Sequence, residues 1–266
     1  MISGHGETPV TRIVLTAAYD GTDFRGWAAN PESRTVQGTL TEAVRLIANE
    51  ENEMIGASRT DSGAHARGQV VAFNTTRPIA PEHWANVLNR RLPLDLRIVR
   101  SRQAPEGFSP RFAARDRWYR YRIHQGRVDP FRARYVHEHG KPLDLELMRL
   151  AAERMVGTHD FRAFTEELEP TVENTVRTLY SIEVRQVRDE MWVDVVGTAF
   201  LRGMMRKTAG VLLEVGRGYR PVEEVSRLLD IEERNSLRWP VVLPARGLCL
   251  MRVRYGRHPR DHRTAL

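Results

Sequence analysis

The sequence contains a single cysteine, Cys249, among 266 residues. One cysteine excludes an intrachain disulfide and a cysteine-cluster metal site. Its neighbours, Leu248 and Leu250, are typical of a strand interior, so we expect a buried, inert thiol in a reducing compartment. No apolar run approaches the roughly 20 residues of a membrane span, and the N-terminus lacks a charged region followed by an apolar stretch. We therefore expect a cytoplasmic protein without a membrane partner.

Patterns for bound cofactors are also missing. The chain has no glycine-rich phosphate loop and no dinucleotide fingerprint. His137 and His139 are close in sequence, but no spacing of further ligands points to a metal site. The sequence therefore offers no metal or nucleotide site.

Positive charge is in excess. The formal net charge is +7, as expected for a surface that meets a polyanion such as nucleic acid. A generally basic proteome would explain the same charge, so composition alone does not decide between the two.

Apolar spacing predicts the same order of elements in both halves: strand, helix, strand, strand, helix, strand. In the first half these are strand 12–18, a helix 35–49 capped by Thr35, strands 53–57 and 69–74, a helix opened by Pro81, and strand 96–99. In the second half they are strand 118–124, helix 144–155, strands 176–187 and 191–197, helix 200–215, an extra helix from Pro221, and strand 248–255.

Twice over, this order is the split βαβ pattern of ferredoxin-like and RNA-recognition-motif folds. We predict an α+β protein with two βαββαβ halves whose mostly antiparallel sheets flank a central cleft. Residues 1–107 would form the N-terminal half, with a candidate Asp loop, and residues 108–266 the C-terminal half, with a tyrosine strand and a basic helix.

The first candidate site is a loop of small residues around Asp61. It runs from Gly56 to Gln69 and also contains Arg59 and His65. Glycine and serine permit a sharp turn and a close approach by a bulky ligand, and an arginine can hold a phosphate or orient a carboxylate. The alternative is an ordinary surface loop with local turn hydrogen bonds.

The second candidate segment, residues 110–134, contains eight arginines interleaved with aromatic residues. Such a mixture can neutralise phosphates and stack on bases. Strand alternation places Tyr119 and Tyr121 on one face, and Arg120 and Arg122 on the other. The alternative is a core-facing aromatic row backed by solvated arginines.

The third segment is the predicted helix 200–215. Arg202 and Arg206 lie four residues apart and would share one side of it. A solvated basic stripe explains the same spacing.

Together these segments resemble the TruA family of tRNA pseudouridine synthases over nearly the whole chain. The motifs that carry the resemblance are Tyr-Asp-Gly-Thr-Asp-Phe-Arg-Gly-Trp at 19–27, Thr-Val-Gln-Gly at 35–38, Arg-Thr-Asp-Ser-Gly-Ala-His at 59–65, Arg-Trp-Tyr-Arg-Tyr at 117–121, Gly-Thr-His-Asp-Phe at 157–161 and Ala-Arg-Gly-Leu at 245–248.

The resemblance implies the pseudouridine synthase fold and a homodimeric isomerase that needs no cofactor. Its expected targets are uridines 38, 39 and 40 in the anticodon stem-loop of tRNA. The family's aspartate maps to Asp61, the implied nucleophile. Whether the carboxylate attacks the ribose or helps to form a glycal intermediate stays open.

Further site residues follow from the resemblance alone. Arg206 would pair with the carboxylate, Arg59 would displace the target nucleotide, and Tyr119 would stack on the base or relay a proton. The implied catalytic residues are Asp61, Arg59, Tyr119 and Arg206, and the implied substrate-binding residues are Tyr119, Arg111, Arg59 and His65.

The sequence departs from the family pattern at several positions. Ser58 replaces a glycine, Ala28 a glutamine and Arg91 an asparagine, and Arg202 and Gly203 replace a pair rich in histidine or glutamine. A paralogue with altered target uridines is therefore one alternative.

Two other classes remain as alternatives. A non-catalytic RNA-binding protein with two RNA-recognition-like halves would explain the charge and the aromatic residues, but it needs no intact Arg-Thr-Asp loop. A glycosidase would pair Asp61 with a second carboxylate, Asp20 or Asp23. Asp20 is already explained as part of a strand-ending turn.

Overall fold

The computed structural model describes residues 9–165 and 174–256. The first residues of the chain, which entered the expectation of a cytoplasmic location, lie outside these ranges. Within them, no helix has the length and apolar character needed to cross a bilayer.

Ten strands and five α-helices make up the described part of the chain. The first half contains β1 (Thr11–Tyr19), α1 (Val36–Ala48), β2 (Ile55–Gly56), β3 (His65–Thr75), α2 (Trp84–Asn89) and β4 (Leu96–Gln103). The second half contains β5 (Ala114–His124), β6 (His137–Glu138), α3 (Leu145–Met155), β7 (Gly157–Asp160), β8 (Val176–Val187), β9 (Glu190–Gly197), α4 (Met204–Gly216), α5 (Glu223–Leu229) and β10 (Leu248–Tyr255).

Both halves arrange their strands in the same order. In the first half the order is β4, β1, β3, and β2 pairs with β3 on the side away from β1. In the second half it is β10, β5, β9, β8, with β7 beyond β8. Each half thus places its fourth strand beside its first, and its third strand between the first and the second, as ferredoxin-like folds do. The predicted α+β fold with two such halves is confirmed.

One continuous sheet joins the halves, because β10 pairs with β3. The two strands run parallel, with Cys249 opposite His65 and Leu250 opposite Ala66, while β10 is antiparallel to β5. Apart from this contact and the short β5–β6 pair, the strand pairs of the described residues are antiparallel, as predicted. The boundary after residue 107 falls between β4 and β5 and stays a prediction.

Burial raises the pKa of the Cys249 thiol to about 11, so the thiol is protonated.

α1 begins where the sequence predicts and supports the site. The hydroxyl of Thr35 accepts a backbone hydrogen bond from the first turn at 3.2 Å, a stabilising N-cap. Leu40 and Val44 are fully buried at helical spacing. The N–H of Val36 donates to the carbonyl of Gly26 at 3.2 Å. The helix therefore anchors the loop that follows β1.

The inward face of β5 forms the predicted aromatic row. Tyr119, Tyr121 and Ile123 are 4%, 0% and 0% exposed. The hydroxyl of Tyr121 donates to the carbonyl of Pro244 at 2.7 Å, which satisfies its polar atom in the core.

The arginines on the opposite face of β5 are ion-paired, which corrects the alternative that they are simply solvated. Arg120 donates two hydrogen bonds to Asp194, at 2.8 and 2.9 Å. Arg122 donates two to Glu190, both at 2.7 Å. The Arg120 guanidinium also lies 3.9 Å from the ring centroid of Trp192. The acids come from β9, where Asp194 lies directly opposite Arg120 and Glu190 lies two positions from Trp192, the residue opposite Arg122.

Several elements of the second half differ from the prediction, among them β5, which begins at Ala114 rather than at residue 118, and the short β6, which was not predicted. α4 begins at Met204 rather than at residue 200, because Gly203 has a left-handed backbone with φ 70° that helical residues do not adopt. Arg202 thus precedes the helix, and the prediction that it shares one helix side with Arg206 is wrong. β7 was not predicted because Gly157 was interpreted only as the end of a helix.

Candidate active site

Residues 57–64 form the loop that carries Asp61 and joins β2 to β3. The carbonyl of Thr60 accepts the N–H of Trp27 at 3.1 Å, and its hydroxyl bonds to that of Tyr19 at 2.8 Å. Inside the loop, the N–H of Ala64 donates to the carbonyl of Asp61 at 3.0 Å. The loop is therefore held by β1 and by the loop after it.

Two glycines allow the loop after β1 to lie directly on this Asp61 loop. A Cβ atom at Gly21 would come within 1.9 Å of the carbonyl oxygen of Ala64. At Gly26, where φ is +87°, it would come within 3.0 Å of the carbonyl oxygen of Thr60. The close approach of two backbones explains why glycine stands at both positions.

Asp61 is paired with Arg206 across the junction of the two halves. Nη1 of Arg206 donates to Oδ2 of Asp61 at 3.3 Å, and its Nε donates to the carbonyl of Leu243 at 2.6 Å. The Asp61 side chain is 23% exposed and that of Arg206 is 19% exposed. The carboxylate thus has a cation fixed beside it and keeps a surface through which a ligand can reach it.

Tyr119 reaches the same loop from β5. Its hydroxyl lies 2.6 Å from the hydroxyl of Ser58. The rings of Tyr119 and Phe200 pack edge to face, with their centroids 4.9 Å apart. Burial raises the pKa of Tyr119 to about 12, so the phenol is neutral at physiological pH.

Arg117 fixes three segments around these residues, and the sequence analysis did not single it out. It is 7% exposed. Its guanidinium donates to the carbonyls of Ala57 at 2.9 Å, Arg111 at 2.8 Å and Thr198 at 2.5 Å. Strand alternation gave a usable signal, because it places Arg117 on the core side with Tyr119.

Arg59 and Arg111 lie at the surface. Both residues are exposed. The guanidinium of Arg111 lies 5.5 Å from the ring centroid of Phe112, which is 84% exposed. Through the hydrogen bond to Arg117, the Arg111 segment is tied to the base of the Asp61 loop.

His65 is placed in the interior, at the start of β3. It is 6% exposed. Nδ1 accepts the N–H of Gly21 at 3.0 Å, and Nε2 faces the carbonyls of Arg134 at 2.9 Å and Arg246 at 3.2 Å. A carbonyl accepts only, so Nε2 carries a proton, and Nδ1 accepts from Gly21 when the ring is neutral. Oδ1 of Asp20 lies 3.2 Å from Nδ1 and would pair with the ring in its protonated form. With both nitrogens used inside the protein, His65 joins three segments, and its predicted contact with substrate would require these bonds to break.

Lowering the pH from about 7.5 to about 5 should destabilise the protein through His65. Burial lowers the pKa of His65 from its usual 6.5, so the folded state binds fewer protons than the unfolded chain in this range. The neutral His65 ring therefore contributes fully to the free energy of unfolding above pH 6.5. This contribution is lost as the pH falls towards the pKa of the folded state. Urea unfolding across this range should show the decline, and His65→Asn should make it shallower.

The matched control is His83→Asn, at an exposed histidine just before α2. This variant should keep the wild-type pH dependence. An unchanged slope in His65→Asn would contradict the role of the buried ring.

Asp20, one candidate for the second carboxylate of a glycosidase, uses both of its carboxylate oxygens in hydrogen bonds within the protein. Oδ1 accepts the N–H and the hydroxyl of Thr22, at 3.0 and 2.6 Å, and Oδ2 accepts the hydroxyl of Tyr135 at 2.8 Å. Asp23 is 61% exposed and pairs with Arg134 at 3.5 Å. Neither arrangement sets up a second catalytic carboxylate.

Away from this site, His124, Asp189 and Glu190 could hold a cation, since their ligand atoms lie within 4.8 Å of one another. The guanidinium of Arg132 occupies the position that a metal cation would take, because it donates to Asp189 at 3.0 Å and also to Glu190. These hydrogen bonds lower the pKa of Asp189 to about 2. The group is therefore a network of ion pairs.

The geometry can be compared with known proteins. A family profile described as tRNA pseudouridine synthase matches residues 15–113 and 151–256. These ranges include Asp61 and Arg206, and Tyr119 lies between them.

Individual relatives agree with the profile. The tRNA pseudouridine synthase A of Limosilactobacillus reuteri (strain DSM 20016) is 40% identical over 251 residues, which cover 92% of this chain and 97% of the relative. That of Syntrophotalea carbinolica is 37% identical over 253 residues, covering 95% and 98%. Among solved structures, a chain of a Cbf5-Nop10-Gar1 complex covers 95% of this chain and 60% of its own, with 10% identity and a TM-score of 0.36. So low a score supports no argument about fold or function.

Proposed function

Since the chain belongs to the TruA family of tRNA pseudouridine synthases and is an isomerase that acts on tRNA, we propose that Asp61 starts the reaction and that the targets are uridines of the anticodon stem-loop. The observation that carries the assignment of Asp61 is its half-buried pair with Arg206. Uridines 38, 39 and 40 are the positions we expect.

The isomerisation of uridine to pseudouridine requires few catalytic groups. The bond between uracil N1 and ribose C1′ breaks, a bond between C5 and C1′ forms, C5 loses a proton and N1 gains one. Atoms and electrons balance without an oxidant or a cofactor. The Asp61 carboxylate begins the reaction, either by attack at C1′ or by assisting glycal formation. Arg206, 3.3 Å away, holds the carboxylate in position.

Tyr119 is proposed to meet the uracil with its hydroxyl group. The residue is 4% exposed, so its ring offers little surface for stacking. The hydroxyl is tied to Ser58 of the Asp61 loop and is the group that can exchange a hydrogen bond with a base. A target base leaves its stack at a cost of a few kcal/mol, so fixed partners in the pocket are needed to hold it.

Arg59 and Arg111 are proposed to contact the RNA backbone. Both are exposed and flank the segments that carry Asp61 and Tyr119. Contacts between arginine and phosphate hold the RNA in register without reading its sequence. The net charge of +7 favours the same partner.

We further propose a cytoplasmic homodimer whose two copies hold the tRNA together. The support for the dimer is the family resemblance. The single cysteine, with its protonated thiol, is compatible with a reducing compartment. Sedimentation should give twice the monomer mass without tRNA and two protein copies per complex with tRNA, and a single copy under both conditions would contradict the dimer.

The target arm is tested on full-length unmodified tRNA. Carbodiimide treatment followed by reverse transcription locates each pseudouridine. We expect stops in the anticodon stem-loop, and none in a matched tRNA whose anticodon-arm uridines are replaced by cytidine. Pseudouridine confined to another arm would overturn the target and leave the family activity standing.

A further inference from the structure

The hydroxyl of Ser58 is the group bonded to the hydroxyl of Tyr119, at 2.6 Å. The two residues are 61 positions apart in the chain, so the fold creates this contact. Ser58 lies three positions before Asp61, where the family pattern has glycine. A glycine there has no group to make this bond.

The position of Ser58 is fixed on both sides. Its carbonyl accepts a hydrogen bond from Nε2 of the fully buried Gln69 at 2.6 Å. The preceding carbonyl, of Ala57, is held by the buried guanidinium of Arg117 at 2.9 Å. The backbone at Ser58 is therefore held in place, which keeps its hydroxyl within reach of Tyr119.

Accessibility differs between the two hydroxyl-bearing residues. Tyr119 is 4% exposed, whereas Ser58 is partly exposed. A phenol that faces the uracil and is otherwise enclosed exchanges protons with water only through a neighbouring group. Ser58 is placed to be that group.

We propose that Ser58 is a positioning residue that orients the Tyr119 hydroxyl and connects it to solvent while C5 of the rotated uracil loses its proton. The proposal rests on the proposed function, in which the Tyr119 hydroxyl meets the uracil. Once C5 is bonded to C1′, the C5–H bond breaks and its electron pair returns to the ring. The proton passes to Oη of Tyr119, the phenol proton passes to Oγ of Ser58, and the serine proton passes to water. N1 takes up one proton from water.

The chemistry of the phenol agrees with this route. Burial raises the pKa of Tyr119 to about 12, and the hydrogen bond between the Tyr119 and Ser58 hydroxyls acts in the opposite direction. A neutral phenol can accept a proton only if it releases its own at the same time. The serine hydroxyl gives the released proton a fixed destination.

The test measures single-turnover conversion of tRNA that carries either hydrogen or deuterium at C5 of uridine. Ser58→Ala should slow conversion roughly tenfold, the equivalent of one hydrogen bond, and should increase the C5 isotope effect. Ser58→Thr, which keeps the hydroxyl, should stay within about twofold of wild type. tRNA binding should be unchanged in both variants, and Ser58→Thr should keep the thermal unfolding of wild type.

Action through Tyr119 is tested by a double-mutant cycle. If Ser58 works through the phenol, Ser58→Ala should cause no further slowing in a Tyr119→Phe background. An equal slowing in both backgrounds, or an unchanged isotope effect in Ser58→Ala, would overturn the inference. Wild-type protein that forms no pseudouridine in the anticodon arm would instead contradict the proposed function, so the two failures are distinguishable.

Discussion

Replacing Asp61 with Asn should stop pseudouridine formation while leaving tRNA binding almost unchanged. Asparagine has nearly the same shape, and its Oδ1 can still accept the hydrogen bond from Arg206. The loop is held mainly through Thr60 and Ala64, so its conformation should persist. The variant lacks the negative charge and the nucleophilic oxygen. We expect the chemical rate to fall by at least ~10³-fold, at the upper end for loss of one essential acid–base or nucleophilic group.

The measurement is single-turnover tritium release from tRNA labelled at C5 of uridine, with binding followed by filter retention. Asp23→Asn is the matched control, because Asp23 is an exposed carboxylate in a neighbouring loop and pairs only at the surface with Arg134. Its loss should change the rate by less than about twofold, as for exposed ion pairs. A comparable loss in both variants would favour a site with two carboxylates.

The second large effect is expected for Arg206. Its Nε is anchored on the carbonyl of Leu243, and its Nη1 points to Asp61. Arg206→Met keeps most of the stem but removes the cation and both donors, so Asp61 loses its fixed partner. Conversion should fall by roughly 10²- to 10³-fold, as when one preorganised donor is removed from an active site.

Arg206→Lys separates charge from geometry. Lysine keeps the charge, but it lacks the planar fork that reaches Leu243 and Asp61 together, so its rate should fall between those of wild type and Arg206→Met. Arg217→Met, at the exposed far end of α4, is the control and should keep the wild-type rate. If Arg206→Met retains that rate as well, the ion pair has no part in the reaction.

Local patterns explain which features of the fold could be predicted. Thr35 is followed by apolar residues at helical spacing, and α1 begins directly after it. The alternation in β5 correctly separated Tyr121 from Arg120. The helical spacing and the strand alternation both depend only on residues a few positions apart, so the sequence is enough to predict them.

Contacts between distant segments could not be predicted in the same way. The pairing of β10 with β3 joins residues far apart in the chain, and the hydrogen bond from Arg206 to Leu243 connects α4 to an irregular segment. The position of Arg202 was wrong because a single left-handed glycine, Gly203, delays the start of α4. The substrate-binding role of His65 stays a prediction, whereas its burial at the start of β3 was not indicated by the motif.

For the site itself, the resemblance proposed the members, and the structure adds how they are held. The pair of Asp61 with Arg206 was implied in advance. The bond between Ser58 and Tyr119 was not, nor was the role of Arg117 in tying the Asp61 loop to the Arg111 segment. These supporting contacts set the geometry of the active site, and sequence motifs do not predict them.

We propose that this chain converts uridine to pseudouridine in tRNA through the Asp61 carboxylate. The most direct measurement incubates full-length unmodified tRNA with wild type or with Asp61→Asn, digests the RNA and separates the nucleosides. We expect pseudouridine with wild type and none with the variant, although both bind the tRNA. Tight binding by wild type with every uridine recovered unchanged would contradict it, as would pseudouridine formed by Asp61→Asn at the wild-type rate.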